Sequence, residues 1–459
     1  MVGDVIPFSP AGGWDEGAVA FFSEGRGVTY ADLAVRAEQV ACGLYAAGVR
    51  AGDPVATLLT PGPEFVEVLH ATMRIGAVLM PLHERLAPAE LSARISAARS
   101  TLLLHDDRHA DLAGRLDRDH VNVRELPVGR PAPRAPVGSF DAIHSIFHTS
   151  GSTARPKMVP LSVGNLYWGA LASAAVIGVR RDDRWLATLT TAHVGGLSIY
   201  LRSAIYGTSV VIHDGFDAER VNRAIDNDSV TIVSLVAATL ERLLEARGRR
   251  PFPPTLRCVL VGGGPIPATL LDTCGAYGVP VAPTYGLTEA ASQVATAAPG
   301  SRSMRVLPGT EVRRGADGEL LVRGPTVSAS CLGADGWLHT GDAGRVDDEG
   351  SVHVDGRIDD LIITGAENVQ PAEVEAALAS HPAVGEAVVA GTSDGAMGSA
   401  IVAWVRLRPG PAVSADDLRA HVRARLASFK VPRRVHLVHE LPTTPLGKID
   451  RRALREPGP

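Results

Sequence analysis

The stretch "LRCVLVGGGPIPATLLDTCGAYGVPVAPTY" (256–285) limits the fold more than any other. An apolar run ends in three glycines, a segment with prolines at its start and glycine at its end follows, and a second apolar run closes the unit. Proline suits the first turn of a helix and glycine its C-terminal cap, so the unit predicts strand, helix, strand. Two strands joined through a helix run parallel with a right-handed crossover, and ligands of such sheets gather where the strands end. The alternation recurs. "VTYADLAVRAEQVACGLYAAGV" (28–49) places Leu33, Ala37, Val40 and Leu44 on one helical face; "PVATLL" follows as a strand, and "EFVEVLHATMRIGAVLMPL" (64–82) as a helix running into a strand. These units predict an α/β fold: a large, multi-layer N-terminal domain of parallel sheets and crossover helices.

The pattern changes after about Gly350. Short hairpin strands, "GELLVRG" and "SVHVDGR", lead into helix "PAEVEAALASH", strands "EAVVAGT" and "AIVAWVRLR", and helix "SADDLRAHVRARL". Ser414 with Asp417 three residues on forms a capping box for the last helix, which lines up Leu418, Val422 and Leu426. This predicts a small α+β C-terminal domain, with the boundary in "GRIDD" (356–360) and domains over 1–356 and 359–459. The Pro/Arg-rich "PVGRPAPRAPVG" (127–138) reads as an exposed connection.

With 45 basic and 50 acidic residues intermixed and a net charge of −5, nothing favours nucleic acid or an anionic membrane as partner. No apolar run reaches the roughly 18–20 residues of a membrane span. The opening "MVGDVIPFSPAGGW" lacks the basic-then-apolar order of a secretory signal. Cys42, Cys258, Cys274 and Cys331 are scattered without metal-site spacing and read as small buried hydrophobes in a cytoplasmic protein.

"HTSGSTARPKMVPLS" (148–162) lies after the strand-like "DAIHSIF", and the helix-like "SVGNLYWGALASAAV" begins near Ser162, so the loop is expected between a strand and a helix. A Walker A loop needs glycine directly before its lysine and Ser/Thr directly after. Here Pro156 precedes Lys157 and Met158 follows, which excludes that mechanism. Thr149, Ser150, Ser152 and Thr153 around Gly151 can wrap phosphate oxygens with hydroxyl and backbone donors while Lys157 adds a point charge. A surface loop with one solvated lysine reads the same residues equally well.

Four further motifs follow in order. "PTYGLTEA" (283–290) offers Tyr285 as an aromatic face for a base, Thr288 as a hydroxyl for phosphate and Glu289 as a hard oxygen ligand for Mg²⁺. "LHTGDAG" (338–344), "GRIDDLIITGAENVQPAEVE" (356–375) and "TTPLGKIDRRALR" (443–455) complete the set. Together with "HTSGSTARPKM" these motifs resemble those of the adenylate-forming superfamily of acyl- and aryl-CoA synthetases, adenylation domains and luciferases. Ala154 and Met158 stand where that superfamily usually has glycine.

The resemblance implies ATP, Mg²⁺ and coenzyme A as co-reactants of a small-molecule carboxylic acid. It implies that Thr149, Ser150, Gly151, Ser152, Thr153 and Lys157 hold phosphates, and that Gly263, Thr284, Tyr285, Gly286 and Thr288 contact the nucleotide. Asp342 and Arg357 would hold the ribose or phosphates, and Glu289 the metal. Lys448 would bridge the acid and the α-phosphate as the catalytic lysine, alongside Glu289, Thr149 and His193. Asp359 would be the hinge of a mobile C-terminal domain, whose 362–370 loop reaches the thiol tunnel in the second half-reaction. "AHVGGLSIYLRSAIYG" (192–207), "FDAERVNRAIDNDSVTIVSLVAATLERLL" (216–244) and "YGLTEAASQ" (285–293) are more particular, and are similar to the branch that ligates o-succinylbenzoate to CoA in menaquinone biosynthesis. That implies an acyl pocket lined by His193, Ser292 and the backbone of Gly262 and Gly264, with Arg202 for a second carboxylate. Arg202 reads equally as a helix-surface arginine, and Ala192 replaces the superfamily's usual aromatic.

The resemblance also admits a homodimer. Competing readings are a ligase for another aryl or medium-chain acid, a carrier-protein thiol as acceptor, and an adenylate-binding protein without turnover. The last is disfavoured by the presence of Lys448, Glu289 and Asp342; a P-loop NTPase is disfavoured by the missing Gly-Lys-Ser/Thr.

Overall fold

The structure, a computed structural model, describes residues 15–116, 118–129, 131–133, 139–149, 157–360, 362–364, 367–394, 398–410, 413–426, 428–444, 449–451 and 453–454. Its packing divides into two compact units. The first comprises 1–264, 274–311 and 322–338; the second comprises 265–273, 312–321 and 339–459.

The first unit is built on two sheets. In the nine-stranded sheet, strands Val281–Tyr285, Cys258–Val261, Ile232–Leu235, Arg184–Ala187, Ser209–Ile212 and Val19–Ser23 lie side by side in that order, each parallel to its neighbour. Antiparallel strands close both edges. In the six-stranded sheet His120–Asn122, Leu102–His105, Pro54–Leu58, Val78–Pro81 and Ile143–Thr149 are parallel, and Lys157–Ser162 pairs antiparallel at the edge. The 256–285 unit folds as read: strand Cys258–Val261, helix Ala268–Ala276, then strand Val281–Tyr285.

Helix Tyr30–Ala46 is capped by Thr29, whose hydroxyl accepts from the Asp32 amide, and buries Tyr30, Leu33, Ala37, Ala41 and Leu44. Val40 is only half-buried, because the buried stripe passes through Ala41 instead. Helix Pro63–Ile75 starts on a proline and ends at Gly76 in the left-handed conformation (φ 73°).

One expectation is corrected. Strand Ile143–Thr149 is not followed directly by the helix near Ser162. Strand Lys157–Ser162 intervenes and pairs antiparallel with Ile143–Thr149, with Thr149 opposite Lys157 and His148 opposite Met158. Helix Val163–Ile177 begins only after it, with a capping box between Ser162 and Asn165. Lys157–Ser162 carries Pro160 and is an edge strand, where proline costs least.

A four-stranded sheet, most of whose residues belong to the second unit, holds Glu311–Arg314, Glu319–Arg323, Leu338–Val346 and Val352–Arg357 in that order. A five-stranded sheet contains the long antiparallel pair Val384–Asp394 and Gly398–Leu407. Helices Pro371–Ala379 and Ala415–Arg423 accompany this sheet, and its core gathers Val374, Leu378, Val389, Ile401, Val405, Leu418 and Val422. Ser414 and Asp417 form the expected capping box. The four cysteines are free thiols, three of them buried; burial pushes Cys258 up to about 12 and Cys274 up to about 11. Among the described residues no helix is long and apolar enough to cross a membrane.

Candidate adenylating site

Several candidate residues of the first unit lie where its parallel strands end. Strand Cys258–Val261 runs out into Gly262, and its neighbour ends at Thr284 and Tyr285. A Cβ on Gly262 would lie 2.6 Å from Thr284 Cγ2 and 2.8 Å from the Thr284 carbonyl, so glycine is what lets the two strand ends converge. Gly263 takes a left-handed φ of 82°, whereas a Cβ on Gly264 would meet nothing within 4 Å. Gly264 therefore leaves open space beside the strand end.

After Tyr285 the chain folds closely back on itself. A Cβ on Gly286 would fall 1.5 Å from the Ser292 carbonyl oxygen. The turn Thr288–Ala290 then leads into Ala291 (φ 53°) and Ser292 (φ 98°), two consecutive non-glycine residues with positive φ. Such strain persists only where surrounding contacts over-determine it, and it concentrates at functional sites. Here the Val294 amide donates to the Tyr285 carbonyl (2.8 Å), the Ser292 amide to Leu287 (3.1 Å) and the Ser328 amide to Glu289 (2.8 Å). These bonds hold Tyr285, Thr288 and Glu289 half-buried along one short arc.

Thr284 differs from its neighbours. Its hydroxyl lies 2.7 Å from Thr296 Oγ1 and donates to the Ala295 carbonyl, with the Gln293 amide at 3.3 Å. That hydroxyl is occupied within the fold, so what Thr284 presents is backbone and methyl.

Thr149 and Lys157 form the last rung of their antiparallel strand pair, with Lys157 exposed. Ser150, Gly151, Ser152 and Thr153 lie outside the described residues, as does Lys448.

His193 sits at the N-cap of helix Val194–Tyr206, and its carbonyl accepts from the Gly196 and Leu197 amides. Its ring meets His83 edge-on, with centroids 5.9 Å apart. His83 follows strand Val78–Pro81 in the other sheet, is buried, and takes the Arg85 amide on Nδ1. Burial lowers its pKa, which favours the neutral imidazole. Sequence reading missed this residue, although its place directly after a strand was a usable signal.

Arg202 is not on the helix surface. Only 3% of it is exposed, and its guanidinium lies 5.7 Å from the centre of the Trp185 ring. Burial lowers its pKa, and among the described residues it forms no ion pair or hydrogen bond. It follows His193 by nine residues, about 13 Å along the helix axis, so the structure does not bring the two side by side.

In the second unit Asp342 and Arg357 face each other across paired strands. Arg357 Nη1 donates to Asp342 Oδ1 (3.0 Å) and to the Thr340 carbonyl (2.6 Å). The Asp342 amide donates to Thr340 Oγ1, which in turn donates to the Leu320 carbonyl. Gly341 has φ 69°, and a Cβ there would strike the Arg357 guanidinium at 2.5 Å. Asp359 lies in the short turn Ile358–Asp360, and its side chain is outside the described residues.

In the first unit, glycine-bounded ends of parallel strands and a strained arc presenting an aromatic ring, a hydroxyl and a carboxylate are the features by which an α/β enzyme receives a ligand at its strand ends. The chain belongs to the AMP-binding enzyme family: it matches the AMP-binding enzyme domain over residues 11–330 and the AMP-binding enzyme C-terminal domain over 373–448. It is 39% identical over 466 residues to the 2-succinylbenzoate–CoA ligase of Geobacillus kaustophilus, covering 94% of each chain. It also superimposes on o-succinylbenzoate CoA synthetase from Bacillus subtilis solved with the acyl-adenylate intermediate, with TM-score 0.89, 34% identity and 96% of each chain covered. The same synthetase solved with ATP and magnesium gives TM-score 0.87 at 34% identity, over 95% of this chain and 96% of that one.

Proposed function

We propose that this chain is an AMP-forming carboxylate–CoA ligase whose acid is o-succinylbenzoate, acting in menaquinone biosynthesis. Full-length similarity to ligases of that name supports the reading, and the state of Arg202 carries the choice of acid. A buried guanidinium without an acidic partner is costly, and a ligand carboxylate reaching it would offset that cost. A dicarboxylic acid would react through one carboxylate and have the other held by Arg202, directly or through water, in a subsite separate from His193.

Carboxylates are poor acyl donors because oxide leaves badly. In the first half-reaction a carboxylate oxygen attacks the α-phosphorus of ATP, pyrophosphate departs, and an acyl-adenylate remains. In the second the thiolate of CoA attacks the acyl carbon and AMP leaves. An anion must approach a polyanion, so charge neutralisation and positioning dominate the barrier. Glu289 suits Mg²⁺: it is half-buried, offers hard oxygens, and no ion pair to it forms among the described residues. A magnesium ion held there would neutralise phosphate charge. Tyr285 would stack on adenine, Thr288 would donate to phosphate, and Asp342 with Arg357 would hold the ribose. Ser292 and the glycine run 262–264 would line the acyl pocket, with His193 and His83 at its rim. The 149–157 segment and Lys448 would complete the charge cradle.

We also assign the domain boundary to 356–360 with Asp359 as hinge, a cytoplasmic location, and a homodimer as the assembly to test. Thioester formation with ATP, Mg²⁺ and CoA across o-succinylbenzoate, benzoate, a cinnamate and octanoate tests the acid. Arg202→Leu should cost about 100-fold in kcat/KM for o-succinylbenzoate and little for a monocarboxylate. An equal loss for both would remove the assigned role.

A further inference from the structure

Glu319 stands at the start of strand Glu319–Arg323, within the "GELLVRG" segment, twenty-three residues before Asp342 and outside the five nucleotide-site motifs. Its carboxylate is buried (7% exposed), yet no lysine or arginine of the described residues pairs with it. Both oxygens are used within one turn. Oε1 accepts the Gly341 amide at 2.7 Å, and Oε2 lies 2.8 Å from His339 Nδ1. Gly341 is the left-handed residue that lets Arg357 pack over the backbone, and its amide is the one immediately before Asp342. In an ordinary strand that amide would point along the ladder; at φ 69° it is satisfied by a side chain instead.

We propose that Glu319 is a positioning residue for the nucleotide site. By clamping His339 and Gly341 it fixes the direction in which Asp342 leaves the backbone, and with it the Asp342–Arg357 pair. The inference rests on the reading of that pair as the ribose clamp. A buried carboxylate is expensive unless fully hydrogen-bonded, and these two bonds provide that satisfaction. Thr340 supplies a second tie, from its hydroxyl to the Leu320 carbonyl, so the turn is held from the same strand at consecutive residues. Glu319 reaches no ligand in this account and acts only through Asp342.

AMP binding by calorimetry, KM for ATP, KM for the acid and thermal unfolding would be measured on the full chain for wild type, Glu319→Ala, Glu319→Gln and Glu319→Asp. The glutamine amide oxygen can still accept from Gly341 while its N–H donates to an unprotonated His339 Nδ1. Glu319→Gln should therefore stay within about threefold of wild type. Glu319→Ala should weaken AMP binding and raise KM for ATP about tenfold while KM for the acid holds. If the alanine variant does not fold, Glu319→Asp decides the question: its oxygens fall short of the turn, and the same selective loss is expected. Wild-type AMP affinity in the folded alanine or aspartate variant, or an equal change in both KM values, overturns the proposal. Failure of wild type to bind AMP would overturn the nucleotide reading beneath it.

Discussion

Replacing Gly286 by alanine should cripple the first half-reaction, and the reason can be worked from distances. The added methyl would sit 1.5 Å from the Ser292 carbonyl oxygen, 2.5 Å from its carbonyl carbon and 2.9 Å from Gln293 Cα. All three are backbone atoms, so no side-chain rotation relieves the clash. Bringing the closest pair to 3.0 Å requires one strand of the turn to move by about 1.5 Å. That shift strains the Val294–Tyr285 and Ser292–Leu287 hydrogen bonds. Two weakened backbone bonds at about 1 kcal/mol each and an overpacking cost of about 1–3 kcal/mol give roughly 3–5 kcal/mol of destabilisation. Where the chain stays folded, a displacement beyond 1 Å at Tyr285, Thr288 and Glu289 should lower ATP–pyrophosphate exchange by about 100-fold or more. Gly263→Ala, at φ 82°, should cost about 1–2 kcal/mol. Gly264→Ala meets nothing within 4 Å and should leave stability near wild type. Urea unfolding and exchange assays on the three variants test the order. A Gly286→Ala protein with wild-type stability and exchange, or a Gly264→Ala protein as unstable as Gly286→Ala, would refute the reasoning.

Asn165 caps helix Val163–Ile177 and donates from Nδ2 to the Pro325 (2.8 Å) and Val327 (3.0 Å) carbonyls; Asn165→Ala should cost about 2–3 kcal/mol in urea unfolding. Burial pushes His70, His144, His148 and His213 each down to about 4 from an ordinary 6.5. The unfolded chain thus binds protons near pH 6.5 that the folded chain refuses until about pH 4, so stability should fall as pH drops through this window. His70→Leu should reduce that slope by about one proton, measured as urea midpoints between pH 7.5 and 5. Lys448→Ala should abolish adenylation while still converting supplied acyl-adenylate to thioester; normal acyl-adenylate formation would remove its catalytic role.

Periodicity and caps made much of this fold readable. The alternation over 28–82 and 256–285 became the parallel layers, and Thr29, Ser162 and Ser414 cap helices that begin where their side chains allow. Reading failed where a local rule met a tertiary exception. Lys157–Ser162 is too short for periodicity, and its proline is tolerated only because the strand lies at a sheet edge. Val40 was placed on a buried face that the packed helix rotates towards Ala41.

The site divides along a similar line. A motif states which residue types share a turn, but not how their atoms are engaged. Tyr285, Thr288 and Glu289 are half-buried along one short arc, whereas the Thr284 hydroxyl is bound to Thr296 and Ala295, and Arg202 is buried against Trp185 rather than spread on a helix surface. His83 and Glu319 were illegible for a different reason. Each acts on a residue far along the chain, at 193 and at 339–341, and no spacing rule connects them. His83 and His193 follow strands of different sheets, and packing brings their rings together; Glu319 meets 339–341 through sheet order, because neighbouring strands bring side chains together whatever their separation in sequence. The residues that hold a motif in shape are therefore found on the strand beside it, which is why Glu319 becomes visible only once Glu319–Arg323 is seen next to Leu338–Val346.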